Sequence, residues 1–392
     1  MTYEKFINPA IAAVPPSGIR RFFDIAATMK DAISLGVGEP DFVTPYHIRN
    51  AAINSLLDGE TQYTGNRGMP ELLEEISWYL EHRYQTKYDP STEIMVTVGA
   101  SEAIDVALRA MVSPGDEVLV PEPSYVSYSP SVIFATGKPV GVVTTAETEF
   151  RLTPEAVEAA ITPRTKLLIL PYPNNPTGGI MEREDLMKIA RVVEKHDLLV
   201  LSDEIYSELT YGERERVSFA SLPGMWERTV TLNGFSKAFA MTGWRVGYAC
   251  GPKELISVML KIHQYAIMCA PRMGQVAALE ALRSGRLTDY EDVRRMRESY
   301  DRRRRLMVEG FRAMGLDCFE PRGAFYIFPS IKPTGLTSEE FCNRLIREHK
   351  VACVPGTAFG SCGEGHIRCS YATGIDKLSI ALERMESFIR GL

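Results

Sequence analysis

Between Ser202 and Arg245 the sequence sets out, in chain order, the functional groups of a cofactor site. Asp203-Glu204-Ile205-Tyr206 places an acid and a phenol three residues apart, directly after the apolar run Leu198-Leu199-Val200-Leu201. Asn233-Gly234-Phe235-Ser236-Lys237 then offers a lysine in a small-residue loop, and Arg245 follows eight residues later. A lone lysine is usually a solvated surface residue. One whose pKa is lowered by burial or by cationic neighbours can form a Schiff base with an aldehyde. A carboxylate and a phenol at the end of a buried strand are costly without partners. An aromatic nitrogen cation would satisfy Asp203, and a phenolate oxygen would satisfy Tyr206.

Other stretches add binding groups. Gly99-Ala100-Ser101 stands where a strand gives way to a helix, so free backbone N–H groups and the positive end of the helix dipole converge on one point suited to phosphate. Taken alone it reads first as an ordinary capped helix start; the guanidinium of Arg245, which can clamp phosphate in a fork, shifts the balance toward the anion site. Pro173-Asn174-Asn175-Pro176-Thr177-Gly178-Gly179 has the composition of a plain turn, but it follows an apolar strand, and its asparagine amide is aimed at whatever occupies the strand ends. In Ile367-Arg368-Cys369-Ser370 an arginine sits in a strand pattern, where it is either exposed or paired with a planar anion.

The elements that must position these groups alternate. Glu93 to Val98, Glu117 to Val120, Lys166 to Leu170, Leu198 to Leu201 and Thr229 to Asn233 read as strands; several are short, nearly continuous apolar runs, the mark of burial on both faces. Helical patterns cover Pro45 to Leu57, Met69 to Tyr84, Ser101 to Met111, Tyr125 to Ala135 and Glu182 to Lys195. This alternation predicts an α/β fold with a mostly parallel sheet under helices on both sides, its site at the carboxyl ends of the strands. After Gly251-Pro252 a long helical region runs to about Arg283, and a second from Asp289 to Met314. Short strands at Gly323 to Phe328, Val351 to Val354 and Ile367 to Ser370 then surround a helix from Ser338 to His349. We expect an N-terminal arm and part of a small domain over residues 1–45, with a helical pattern from Ile19 to Met29, a large α/β domain over 46–286 and a smaller α+β domain over 287–392.

With 45% hydrophobic and 24% charged residues in 392, the chain has the composition of an ordinary soluble enzyme with room for a deep site. Net charge −6 argues against nucleic acid as the main partner, and the basic run Arg302 to Arg305 reads as a solvated helix face. Seven cysteines without a C-x-x-C pair suit a reducing compartment, and no metal site is expected. The start, Met1-Thr2-Tyr3-Glu4-Lys5, lacks a leader pattern and no apolar run reaches membrane length, so the expected location is cytoplasmic, with no membrane partner.

In order along nearly the whole chain, Ser34 to Phe42, Asn174 to Gly178, Ser202 to Tyr206, Ser236 to Gly247, Gly323 to Tyr326 and Arg368 to Ala372 resemble the fold-type I pyridoxal-phosphate aminotransferases of classes I and II, within the branch of aromatic and aspartate aminotransferases. The resemblance implies a mostly parallel seven-stranded sheet in the large domain and a homodimer with shared active sites. It implies that Lys237 carries the internal aldimine and shuttles the proton between the substrate α-carbon and the cofactor, and that Asp203 keeps the pyridine nitrogen protonated. Tyr206 and Asn175 would bind the phenolic oxygen, and Tyr125 would stack on the ring. Gly99, Ala100, Ser101 and Arg245 would hold the phosphate, with Tyr63 reaching it from the partner subunit. Arg368 would fork onto the substrate α-carboxylate beside the Gly38 backbone. The family's bond corresponding to Asn175-Pro176 is often cis. Relatives often carry serine three residues before the lysine as a phosphate ligand; here that position is Gly234, so the contact is lost or moves to Ser236.

The expected reaction is transamination of an L-amino acid, an aromatic one favoured, with a 2-oxo acid such as 2-oxoglutarate, by ping-pong half-reactions. The rival enzyme is a carbon–sulfur β-lyase on the same cofactor, and aspartate, alanine or a diaminopimelate derivative are alternative donors. Arg20 is a candidate for a distal carboxylate. An amino-acid-sensing regulator would need an added DNA-binding domain, for which there is no room before residue 30.

Overall fold

The computed structural model describes residues 3–19, 29 and 31–392. The helical pattern expected from Ile19 to Met29, and Arg20 within it, therefore lies almost wholly outside the described residues. At the centre is a seven-stranded sheet built from β2 (Ile94–Thr97), β3 (Glu117–Glu122), β4 (Lys138–Val143), β5 (Thr165–Leu170), β6 (Leu199–Asp203), β7 (Thr229–Gly234) and β8 (Gly247–Cys250), in the order β2-β8-β7-β6-β5-β3-β4. Only β8 runs antiparallel to its neighbours.

Alternating side chains explain why the central strands read as unbroken apolar runs. Val118, Val120, Leu167, Ile169 and Leu201 enter one hydrophobic cluster, while Leu119, Leu168, Leu170 and Val200 enter another on the opposite face. The first face is covered by α4 (Gly99–Met111) and α8 (Lys253–Ala266), the second by α7 (Arg183–Lys195), whose Leu186, Ile189 and Val193 are buried. Preceding α4 are a single turn, α1 (Pro9–Ala12), then α2 (Tyr46–Leu57) and α3 (Pro70–Tyr84), and the chain also has α5 (Tyr128–Phe134) and α6 (Pro154–Ala160). A third cluster joins α2 and α3 to α9 (Arg272–Thr288).

The carboxyl-terminal part packs α10 (Glu291–Ala313), α11 (Ser338–His349) and α12 (Ile375–Arg390) around a separate cluster. In it β9 (Tyr326–Ile327), β11 (Val354–Pro355) and β12 (Ile367–Ser370) form an antiparallel sheet, and β10 (Val351–Ala352) pairs in parallel with β1 (Ile33–Ser34).

Several readings change. The helical region after Pro252 is two helices, broken between Ala266 and Arg272, where Met268 adopts φ 75° and Pro271 starts the second. The helix expected from Tyr125 begins at Tyr128. The strand expected at Val351 to Val354 is two, pairing with different partners. The basic run is not a solvated face: Arg303 and Arg304 are buried, pairing with Asp41 at 2.7 Å and Glu320 at 2.6 Å, and only Arg302 and Arg305 are exposed. On α10 the inward positions carry guanidinium groups because carboxylates from other segments meet them there.

Candidate active site

The strands of the central sheet deliver their candidate residues to one edge. Asp203 closes β6, Lys237 lies three residues beyond the end of β7, Asn175 follows β5, Tyr125 follows β3 and Gly99 follows β2. Arg245 precedes β8 and still reaches that edge because β8 is antiparallel: Gly247 pairs with both Thr97 and Gly234. Between this edge and the carboxyl-terminal unit opens a cleft of ≈ 1050 Å³, lined by Lys237, Asp203, Tyr206, Asn175, Arg368 and Tyr125. Gly38, Ala100, Ser101, Ser236 and Arg245 complete that lining.

Lys237 is half-buried, and its Nζ donates to the Gly38 carbonyl at 2.6 Å. Burial pulls its pKa down to about 8, opposed by Glu39 and assisted by the guanidinium charges of Arg368 and Arg245. Asp203 is buried; Tyr128 Oη donates to its Oδ2 at 2.7 Å and the Ile205 amide to its Oδ1 at 3.2 Å. Burial raises the Asp203 pKa, against those two donors. The Tyr206 phenol, pushed well above its ordinary range by burial, lies 2.8 Å from the Tyr326 phenol. Arg368, 2% exposed, donates through Nη1 to Asn175 Oδ1 at 2.9 Å and through Nη2 to the Gly36 carbonyl. Its Nε is buried with no partner, and among the described residues no carboxylate forms an ion pair with it. The Asn175-Pro176 peptide is cis.

At the start of α4, Gly99 has φ +76° and a Cβ there would lie 2.5 Å from Arg245 Nη2, so the guanidinium rests directly against the helix terminus. Arg245 Nη1 donates to the Thr242 carbonyl at 3.0 Å. The glycine at 234 has a packing cause: a Cβ on it would come 2.9 Å from Gly247 Cα and 3.1 Å from the Val246 carbonyl. Ser236, two residues on, lines the cleft. Tyr63 does not: it is 77% exposed, outside the cleft of its own chain.

Two cleft tyrosines, Tyr128 and Tyr326, are not marked as site residues by the sequence. Tyr128 follows Tyr125 by three residues, but Tyr125 lies outside the helix that Tyr128 begins, so the spacing does not mark its phenol. Tyr326 belongs to the Gly323-Ala324-Phe325-Tyr326 motif, but nothing local marks its phenol for the cleft.

The arrangement can hold a molecule with an aldehyde for Lys237, a ring nitrogen for Asp203, a phenolic oxygen for Tyr206 and a phosphate for the α4 terminus, together with a carboxylate for Arg368. Pyridoxal phosphate joined by an amino or oxo acid has those groups, and the orphaned Arg368 Nε and the buried Asp203 carboxylate fit them. Fold and site together define a pyridoxal-phosphate-dependent transferase of fold type I.

Comparisons with known proteins agree. The family Aminotransferase class I and II matches residues 30–385. The chain is 54% identical over 384 residues to the putative aminotransferase YugH of Bacillus subtilis, covering 98% of each. It is 50% identical over 377 residues to an aspartate aminotransferase of Pyrococcus abyssi, covering 96% of each. The solved aromatic aminotransferase of Pyrococcus horikoshii superposes with a TM-score of 0.90 at 46% identity, over 94% of this chain and 99% of that one. The chain belongs to the class I and II aminotransferases: it is an aminotransferase acting on amino acids and oxo acids, in a family that uses pyridoxal phosphate.

Proposed function

We propose that this enzyme transfers the amino group of an L-amino acid, an aromatic one preferred, to a 2-oxo acid such as 2-oxoglutarate in ping-pong half-reactions. The observation that carries the reading is Arg368: a buried guanidinium without a counter-ion among the described residues, lining the same cleft as Lys237. A buried cation needs an anion, and a planar carboxylate suits a guanidinium fork. The aromatic preference is supported by the apolar wall of Val14, Pro15, Ile19, Val37 and Phe134, and by the lining's only two arginines among the described residues, Arg245 and Arg368.

In this reading pyridoxal phosphate supplies the electron sink for charge developing at the substrate α-carbon. Asp203 holds the ring nitrogen protonated, its own carboxylate steadied by Tyr128. Tyr206 and the free Nδ2 of Asn175 meet the phenolic oxygen, and Tyr125 covers the ring. Backbone amides of Gly99 and Ala100, with Ser101, Ser236 and Arg245, hold the phosphate, and Tyr63 of a second copy completes it. Arg368 and the Gly38 backbone orient the substrate so that its Cα–H faces Lys237 Nζ, which removes and returns that proton. A homodimer in the cytoplasm follows, the latter supported by seven free cysteines. The separate cluster around α10 to α12 and the β1–β10 pairing support a small domain of residues 1–45 with 287–392 beside a large one of 46–286.

The test is an absorbance scan of holoenzyme with single amino acids and no acceptor, followed by 2-oxoglutarate. The cofactor's visible band should fall with phenylalanine or tyrosine and return with the oxo acid. A band that persists while pyruvate and ammonia accumulate from cystathionine would establish the β-lyase instead.

A further inference from the structure

Tyr326 occupies the junction of three groups assigned above and has itself been given no task. Its side chain is 1% exposed, and its hydroxyl lies 2.8 Å from that of Tyr206. The Arg368 guanidinium carbon stands 4.6 Å from the centre of its ring. A Cβ on Gly38, the residue whose carbonyl accepts from Lys237, would fall 2.5 Å from the Tyr326 oxygen, so only glycine lets the phenol approach this closely. Tyr326 and Arg368 also travel together, because β9 pairs with β12 through Tyr326 and Ser370.

Each phenol has one proton to give. Among the described residues the Tyr326 hydroxyl has Tyr206 as its hydrogen-bond partner, and the two are buried together. If Tyr206 donates to Tyr326, it has no proton left for the phenolic oxygen that the reading above assigns to it. If Tyr326 donates to the Tyr206 oxygen, Tyr206 sends its proton into the cleft and both donors are used. Donation into a hydroxyl oxygen also makes that hydroxyl a better donor.

We propose that Tyr326 is a positioning residue that fixes the direction and strength of the Tyr206 hydroxyl as a donor and ties it to the carboxylate-binding arginine. This rests on the reading above that Tyr206 meets the cofactor's phenolic oxygen. A stronger bond there stabilises negative charge on that oxygen and loosens the neighbouring proton whose loss changes the visible band. Tyr326 thus lowers the pH at which the band titrates.

The test is a pH titration of the visible band in holoenzyme of the parent, Tyr326→Phe, Tyr206→Phe and the double variant. Phenylalanine keeps the ring, and with it the contact with Arg368. Tyr326→Phe should move the midpoint upward by on the order of 0.5 pH unit, Tyr206→Phe should move it further, and the double variant should match Tyr206→Phe. If Tyr206→Phe shifts the midpoint and Tyr326→Phe does not, the role of Tyr326 is overturned while the reading of Tyr206 stands. If Tyr326→Phe shifts it equally with and without the Tyr206 hydroxyl, the effect bypasses Tyr206 and the inference is equally overturned. If neither variant moves it, the underlying reading of Tyr206 fails, and the inference with it.

Discussion

A lysine attacks an aldehyde only through its neutral amine, so the fraction of Lys237 that is unprotonated decides how fast the apoprotein can capture a cofactor. Burial outweighs Glu39 and holds the amine at about 8 rather than 10.5, leaving roughly a fifth of it neutral near pH 7.4, roughly two hundredfold more than an ordinary lysine. Reconstitution of apoprotein with pyridoxal phosphate, followed by absorbance at constant ionic strength, should accelerate with pH and level off just above 8. A rate still climbing toward pH 10 would mean that the lysine is solvated. The same burial accounts for the neighbours. Asp203 and Arg368 sit where an isolated charge is costly, and both line the cleft.

At the scale of the element, the end of β6 shows how a strand sorts two adjacent carboxyls. Asp203 faces the cleft, whereas Glu204 points behind the sheet, where Ser202, Ser218 and the Phe219 amide all donate to its Oε1 and Oε2 is buried without a partner. Burial raises the Glu204 pKa from its ordinary 4.5 to about 7. An acid whose folded pKa lies above its unfolded value keeps a proton that the unfolded chain has lost. Its contribution to stability therefore declines as pH rises from 4.5 to 7 and is gone above that. At about 1.4 kcal/mol per pH decade this is on the order of 3 kcal/mol. Glu204→Gln should flatten the pH dependence of the unfolding midpoint over this interval and be the more stable protein above pH 7; a difference between the two proteins that does not vary with pH would refute the assignment. Strand β6 was legible because Leu198 to Leu201 is a continuous apolar run. Edge strand β4 was not, since Pro139 and Gly141 interrupt its pattern, which an edge tolerates. Lys237, Asp203 and Arg368 stand out by residue type and local setting. Tyr128 and Tyr326 acquire meaning only from contacts 75 and 120 residues away in the chain, which no local pattern records.

On the whole molecule, one face is both apolar and exposed. Tyr46, Ile53 and Leu57 of α2 are 70%, 52% and 80% exposed, and α2 packs on α9. The loop carrying Tyr63 is bound to the same region by Thr64, which accepts from Gln275, and by Asn66, which donates to the Met268 carbonyl, beside the 88% exposed Tyr265. In the homodimer proposed above such a patch would be the interface, with Tyr63 of each copy at the other's cleft. Shared sites make a prediction that separate sites cannot. Lys237→Ala removes the lysine from one site, and Tyr63→Ala weakens the phosphate contact of the opposite site. Homodimers of either variant are impaired in both sites. In a mixed dimer, the Lys237→Ala chain lends its intact Tyr63 to the Tyr63→Ala chain, whose Lys237 is intact, and one complete site results. Equal amounts of the two, unfolded together and refolded with cofactor, should recover about a quarter of the parental sites by random pairing, measured as tightly held cofactor and as half-reaction amplitude. Recovery no greater than the average of the two homodimers would show that each site is built from a single chain.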